Sequence, residues 1–258
     1  MGKPRLYSTE AIILRRTDLG EADRIVTIYT PQLGKVKVVA KGVRKTTSRL
    51  AGHVELFSHS TLLLARGQNL DILTQAQTIE SFLPIRDDLL RTGFALNVVE
   101  FVERFTEERI ENYPLFRLLA DTLSRLSQGG SSEIALILFE MGILEHVGYR
   151  PELHTCVACR ANLTPVTNFF GPGAGGVLCP SCARDVEITR PLSVKTLKVL
   201  RFLQASGYDE AHRLKLDDPL KLEIDSILRS YIRYLLERDM NSNQFLDLLR
   251  KQSEIGSP

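Results

Sequence analysis

Arg24–Lys41 reads RIVTIYTPQLGKVKVVAK, and this stretch decides the fold of the N-terminal part of the chain. Its first half is rich in β-branched residues, which favour strands. Pro31 and Gly34 predict a turn, after which apolar and basic residues alternate. Because successive strand side chains point to opposite faces, one face of the second strand carries Val36, Val38 and Ala40. The stretch therefore predicts two neighbouring strands, the second of them buried on one side.

Three further strands are predicted within the first 80 residues. Strand-like runs occupy residues 11–14, 60–66 and 70–74, and the last two flank Gly67-Gln68-Asn69, which is typical of a hairpin. Five short strands without a strong helix between them favour a small barrel of the OB type, because closure hides the sheet edges. An open sandwich fits the same pattern nearly as well.

From residue 85 onward, apolar residues recur at helical spacing. The segment boundaries follow from candidate caps and stops, namely Ser132, Gly148, Ser193, Gly207 and Pro219. The spacing predicts helices within residues 81–240, and the final residues 252–258 are expected to fray. The predicted fold class is α+β: an N-terminal five-stranded OB-type β-barrel followed by an α-helical domain that carries a zinc-binding module of four cysteines.

The predicted domains are an OB-fold nucleic-acid-binding domain at 1–80, a helical domain at 81–150 and 191–258, and an inserted zinc-binding module at 151–190. With 258 residues, 43% hydrophobic and 25% charged, the chain is neither mostly disordered nor a membrane bundle. No apolar run approaches the ~18 residues that span a bilayer. The N-terminus has no apolar signal region, so a cytoplasmic location is expected.

All four cysteines lie in one short segment as two C-x₂-C pairs, Cys156/Cys159 and Cys179/Cys182. Each pair can direct two thiolates at one ion, and this spacing is typical of structural zinc. Four thiolates leave no open position, so catalytic zinc is not expected. Redox dithiols, plain reduced thiols and an Fe–S cluster remain alternatives. His154 could replace a ligand, although a solvated loop histidine is the simpler interpretation.

Basic residues concentrate near the start of the chain. Residues 1–80 carry 12 Lys and Arg against 7 Asp and Glu, whereas residues 81–155 carry 7 against 12. Residues 35–49 contain no acidic residue, and their cations could follow a phosphate backbone. A merely solvated strand face is the alternative. The candidate DNA-binding residues are Lys35, Lys37, Lys41, Arg44, Lys45 and Arg49, with Arg15, Arg16, Arg24 and Arg66 as second-rank candidates.

Signatures of common enzymes are missing. The sequence has no phosphate-binding loop of the G-x-x-x-x-G-K-[ST] type, no nucleophile elbow and no H-E-x-x-H. Glu107, Glu108 and Glu111 are expected on a helix, where a solvated face is the simplest interpretation and paired acid–base chemistry is the alternative. The residues alone thus point to none of these enzyme classes.

The chain resembles the RecO family of bacterial recombination mediators over nearly its whole length. The N-terminal resemblance rests on GKVKVVAKGVRK at 34–45 and SRLAG at 48–52. The openings AIIL at 11–14 and GEAD at 20–23 are also similar to family sequences, as is GYRP at 148–151 before the first cysteine pair. Members of that family have an OB-fold, a helical domain and, in many cases, a zinc module.

The resemblance implies a non-enzymatic, nucleoid-associated role in DNA repair and recombination. It implies binding of single- and double-stranded DNA and annealing of complementary strands. It also implies partnership with RecR and with single-stranded-DNA-binding protein (SSB), so that RecA can load. The acidic, hydrophobic SSB tail would dock in a groove of the helical domain with an Arg at its rim. The alternatives are an RNA-binding OB-fold protein with a structural zinc module and a zinc-dependent nucleic-acid hydrolase.

Overall fold

The structure is a computed structural model that describes residues 5–255, with side chains up to residue 252. It contains two compact units. The first holds the chain up to Gly129 and again from Phe245, and the second holds Gly130–Gln244. This division into two units rests on packing. The three domains expected from the sequence pattern are a different division, and they stay a prediction.

Five strands of the first unit close into a barrel. They are β1 (Leu6–Leu19), β2 (Asp23–Thr30), β3 (Gly34–Ala40), β4 (His59–Ala65) and β5 (Asp71–Glu80). Their order around the barrel is β1-β2-β3-β5-β4. β1 pairs with β4 through its first half and with β2 through its second half, and β3 meets β5 in parallel only at Val38 and Val39. The α+β class is confirmed, and this strand order is that of an OB-type barrel.

The barrel interior contains the residues that the alternation predicts. Val36, Val38 and Ala40 of β3 are fully or almost fully buried, and they belong to one core cluster with residues of β2 and β4. Burial of these side chains is the main stabilising contribution of the barrel, at about 25 cal/mol for each Å² of apolar surface removed from water.

The outer face of β2 and β3 is not fully solvated. Tyr29 and Lys35 are paired across the two strands, and both are buried. Helices cover this side of the unit: α1 (Leu83–Arg86), α2 (Leu89–Phe105) and α3 (Tyr113–Gln128). α2 lies against β1, and α3 lies against β2. The expectation that Lys35 is a surface residue is therefore wrong.

The second unit combines helices with a small three-stranded sheet. Its helices are α4 (Ser132–His146), α5 (Val194–Ala205), α6 (Tyr208–Ala211) and α7 (Asp218–Leu236). Its strands are β6 (Asn168–Gly171), β7 (Gly176–Leu178) and β8 (Arg190–Leu192). In this sheet, β6 lies between β7 and β8. β6 and β7 fall within the predicted zinc-binding module at 151–190, for which the sequence pattern names no strands, and β8 crosses its C-terminal boundary.

Side-chain caps determine where most of these helices begin. Ser193 caps α5 by accepting a hydrogen bond from the Thr196 N–H at 3.1 Å, as predicted. α4 is capped by Ser131 rather than by Ser132, with Oγ 3.2 Å from the Ile134 N. The predicted cap of α4 is thus wrong by one residue, because Ser131 and Ser132 are adjacent and each carries a hydroxyl that can cap a helix.

A last helix, α8 (Asn241–Ile255), extends beyond the helical segments that the periodicity predicts. It packs in the first unit on α2, where Gly93 lies close to Leu246 and Leu249, and the Arg250 guanidinium lies over the Phe94 ring at 5.7 Å. Residues 252–255, expected to fray, are helical, and the remaining three residues of that tail lie outside the described residues. Among residues 5–255, no helix has both the length and the apolarity to cross a membrane.

Candidate nucleic-acid interface and metal centre

The basic loop, residues 41–49, leaves β3 at one end of the barrel. Its first residues are held against the β1–β2 turn, because the Arg44 N–H donates to the Ala22 carbonyl at 2.9 Å and the Gly42 N–H donates to Asp23 Oδ1 at 2.7 Å. Gly42 has φ +63°, a conformation that glycine adopts without strain. These contacts fix the start of the loop and bring Arg24 of β2 into its neighbourhood.

The cations of this end of the barrel fall into two groups. Lys41, Lys45 and Arg49 are exposed, and no ion pair is found for them within residues 5–252. Arg24 and Arg44 instead share Asp18, at 2.8 and 3.4 Å. The hydrogen bond from Arg24 lowers the pKa of Asp18 below its ordinary value. The first group is thus the one available to a phosphate backbone.

Lys35 has a structural role. Its Nζ donates to the carbonyls of Glu103 and Thr106, both at 2.5 Å, at the C-terminal end of α2. The last carbonyls of a helix lack intrahelical partners and carry partial negative charge, so a lysine there acts as a cap. Burial lowers the pKa of Lys35, whereas Glu103 and Glu108 act in the opposite direction. Lys35 does not present its charge to an external ligand.

Other predicted cations are already paired with carboxylates. Arg15 contacts Glu103 at 2.9 Å, Arg16 contacts Glu55 at 2.6 Å, and Lys37 contacts Glu108 at 2.5 Å. Lys37 and Arg15 remain about half exposed, which leaves them accessible to a competing anion. Glu107, Glu108 and Glu111, expected on a solvated helix face, follow the end of α2 instead. The pairs of Glu103 and Glu108 are not visible in the sequence pattern, because their partners lie about 70 to 90 positions away.

Arg66 lies apart from the basic loop. Its guanidinium stacks over the Tyr7 ring at 4.7 Å beside an open groove of about 450 Å³. The Tyr7 hydroxyl donates to Asp71 at 2.6 Å, and Arg109 approaches the same carboxylate at 3.5 Å. Arg109 is a further cation on this side that the sequence analysis misses, because only the fold brings the α2–α3 loop to β5.

The four cysteines meet in the second unit. Their sulfur atoms all lie within 4.8 Å of one another, and those of Cys159 and Cys179 are 4.0 Å apart. A tetrahedral ion bound at about 2.3 Å would hold such sulfurs roughly 3.8 Å apart, so the set fits one metal ion. The exposed His154 is not part of this cluster. The ligand set predicted from the spacing is brought together by the fold.

Backbone contacts position the two cysteine turns. Val157 N–H donates to the Val177 carbonyl at 2.9 Å, which links the first turn to β7, and Cys179 follows that strand directly. Burial alone would raise the pKa of Cys156, but backbone N–H groups, including that of Cys179 at 3.3 Å, lower it to about 6. The same groups would stabilise a metal-bound thiolate.

Two family models match the chain. One, described as "Recombination protein O N terminal", covers residues 4–82, and the other, "Recombination protein O C terminal", covers residues 86–244. A protein of Roseiflexus sp. (strain RS-1) named DNA repair protein RecO is 46% identical over 99% of this chain and 90% of its own length. A Dehalococcoides mccartyi (strain BAV1) protein of the same name is 42% identical over 97% of this chain and 98% of its own.

This chain belongs to the RecO family. It is a DNA repair protein of that family, and the resemblance inferred from the sequence is confirmed. The two family models meet between residues 82 and 86, where the barrel ends and the helices begin.

Proposed function

We propose that this chain is a non-enzymatic recombination mediator that binds single- and double-stranded DNA with the basic loop of its barrel. It anneals complementary strands and, together with RecR, helps to load RecA onto SSB-coated single strands in the nucleoid. The observation that carries the DNA-binding part is the exposure of Lys41, Lys45 and Arg49 without carboxylate partners in the part of the chain that the structure describes. Lysine and arginine side chains that contact DNA neutralise its phosphates and release bound counterions, which favours binding.

Annealing follows from the same chemistry. Two complementary strands repel each other through their phosphates, and cations that neutralise both lower this repulsion. The contacts go to the backbone and not to base edges, so they leave the bases free to pair and carry no sequence information. The exposed cations of the basic loop, unpaired among the described residues and located at one end of the barrel, would serve both strands.

A salt titration of binding tests the DNA site. The triple variant Lys41→Ala/Lys45→Ala/Arg49→Ala should bind single strands more weakly at every base composition. Its plot of log affinity against log salt should be shallower by about 2, since each single-strand contact contributes about 0.7. A matched control is Arg184→Ala/Arg213→Ala/Lys215→Ala, which removes three exposed cations of the second unit.

Equal salt slopes for the two folded triple variants would show that the basic loop is only solvated. Competition with RNA of matched length and sequence separates the proposal from an RNA-binding OB-fold protein. We expect DNA to compete at least as well as RNA, and a clear preference for RNA would overturn the assignment. Circular dichroism verifies that each variant is folded.

The cysteine cluster supports one structural zinc ion as its occupant. Thiolates are soft ligands, and four of them at this spacing fit zinc in tetrahedral geometry. Cys156, Cys159, Cys179 and Cys182 would all be ligands, so no position remains for a substrate. When bound, the ion stabilises the small sheet of this segment and supplies no reaction chemistry.

A pocket of the second unit supports docking of the SSB tail. It is small, about 80 Å³, and combines apolar side chains with two cations. Its lining residues are Leu163, Thr164, Pro165, Val166, Val194, Leu197, Lys198 and Arg201. An apolar chain end would enter the pocket, and its carboxylate would meet Lys198 or Arg201. Arg201 is held in place by donating to the Leu153 carbonyl at 2.8 Å.

Binding of a fluorescent tail peptide measures this docking. Lys198→Ala should weaken it several-fold, because an exposed cation facing a carboxylate is lost. Lys195→Ala is the control on the same helix, since Lys195 pairs with Asp217 and does not line the pocket. Equal affinities of the two variants would place the tail elsewhere.

A further inference from the structure

The segment Glu103–Glu111, called the acidic strap, runs from the end of α2 along the outer side of β3. The Arg109 N–H donates to the Lys35 carbonyl at 2.9 Å, and Lys35 and Glu108 form an isolated parallel bridge. Gly34 has φ +60°, and a Cβ there would lie 1.9 Å from the Ile110 carbonyl oxygen. The close backbone approach at Gly34 keeps the strap seated on the barrel as an added strand-like segment.

Carboxylates of the strap lie beside basic side chains of the barrel. It carries four glutamates and two arginines, a net charge of −2. Glu103 pairs with Arg15 of β1, and Glu108 pairs with Lys37 of β3. The ion pair with Lys37 also lowers the pKa of Glu108, so this carboxyl is ionised at neutral pH. The carboxylates of Glu103 and Glu108 therefore occupy two cations that could otherwise contact phosphates.

We infer that the acidic strap is an internal competitor of the DNA backbone. The inference rests on the proposed DNA binding and adds the residues that limit its strength. Glu103 and Glu108 compete with phosphates for Arg15 and Lys37. The basic loop carries the cations that meet DNA without such competition. Both ion pairs are partly exposed, and exposed pairs are weak, so a polyanion can displace them at a modest cost in affinity.

The strap also has a purely structural interpretation, in which its ion pairs serve only to hold it in place. The two interpretations differ in what happens when one carboxylate loses its charge and the backbone contacts remain. If Glu108 is an internal competitor, neutralising it strengthens DNA binding only when Lys37 is present. If Glu108 is a structural residue or acts as a distant charge, its effect on DNA affinity is the same with and without Lys37.

A double-mutant cycle on single-strand affinity distinguishes them. Glu108→Gln should tighten binding about two- to five-fold, the size expected for an exposed ion pair that no longer competes. Glu107→Gln is the matched control: it removes the same charge one residue away, from a side chain with no ion pair within residues 5–252. In a Lys37→Ala background, Glu108→Gln should tighten binding no more than Glu107→Gln does.

The pair Arg15 and Glu103 provides a second, independent cycle. Glu103→Gln should tighten binding in the wild-type background and lose this gain in an Arg15→Ala background. If Glu108→Gln and Glu103→Gln bind DNA like Glu107→Gln, or if their gains persist without Lys37 and Arg15, the inference is overturned while DNA binding stands. If neither the wild type nor any folded variant binds DNA, the proposed function fails and the inference falls with it.

Discussion

Asp71 is a buried carboxylate that ties β5 to β1 and to the α2–α3 loop. It accepts hydrogen bonds from the Tyr7 hydroxyl at 2.6 Å and the Gly67 N–H at 3.2 Å, and Arg109 lies at 3.5 Å. Burial by itself raises the pKa of Asp71, but these partners together lower it below the ordinary 3.8. A carboxyl with a depressed folded-state pKa stabilises the fold above its unfolded pKa, and this contribution is lost as pH falls through the folded value.

Asp71→Asn should therefore lower the free energy of unfolding at pH 7 by about 1.5–3 kcal/mol, the range for hydrogen bonds to a charged group. The difference from wild type should shrink as the pH is lowered below 3.8. Urea unfolding followed by circular dichroism at several pH values measures both quantities. Tyr7→Phe keeps the charge of Asp71 and removes one hydrogen-bond donor, so it should lower the free energy of unfolding by less. If the difference in unfolding free energy between wild type and Asp71→Asn stayed constant down to pH 3, this account would be contradicted.

At the scale of elements, the docking of α8 on α2 depends on the small residue Gly93. A Cβ at this position would lie 2.8 Å from Leu246 Cδ2 and 3.0 Å from Leu249 Cδ1. Gly93→Ala can be accommodated by small shifts of these flexible ends, and it gains up to about 1 kcal/mol in helix propensity. Gly93→Leu adds a side chain for which no room exists and should weaken α8 docking by about 1–3 kcal/mol.

Limited trypsin digestion detects this change, because Arg250 and Lys251 lie on α8. Cleavage there should be faster in Gly93→Leu than in wild type, while the barrel stays resistant. Gly52→Ala is the control, since nothing lies within 4 Å of a Cβ at Gly52. Unchanged cleavage in Gly93→Leu would mean that α8 is held by other contacts.

For the whole molecule, the separation into two units predicts a local effect of metal removal. All four cysteines lie in the second unit, and the barrel lies in the first. Purified protein should contain one zinc ion per chain, and chelation should destabilise the small sheet because metal binding there contributes to folding. Hydrogen exchange should speed up in β6, β7 and β8 and remain slow in β1–β5.

Elemental analysis and exchange before and after chelation measure these two outcomes. Cys156→Ala and Cys179→Ala should resemble the chelated protein. Folded wild-type protein that contains no metal, with slow exchange in the small sheet, would be incompatible with a structural zinc ion. Loss of protection spread equally over both units would instead show that the metal stabilises more than its own unit.

Local patterns in the sequence determine the barrel core and the cysteine cluster. The period-2 alternation at Val36, Val38 and Ala40 identifies the buried face because strand side chains alternate whatever the strand packs against. The two C-x₂-C pairs identify the candidate metal ligands because each pair forms its own turn. Both patterns depend on neighbours along the chain, so a single sequence contains them.

The tertiary structure alone decides which basic side chains of β3 and the loop after it are exposed without an ion pair among the described residues. Lys35, Lys37 and Lys41 look equivalent in sequence, yet the first caps α2, the second pairs with Glu108 and the third is exposed. The difference comes from a loop about 70 residues further along the chain that lies against β3. Side-chain periodicity tells which face a residue occupies but not what covers that face, because the cover is a contact between distant segments. The docking of α8 against Gly93 is decided in the same way.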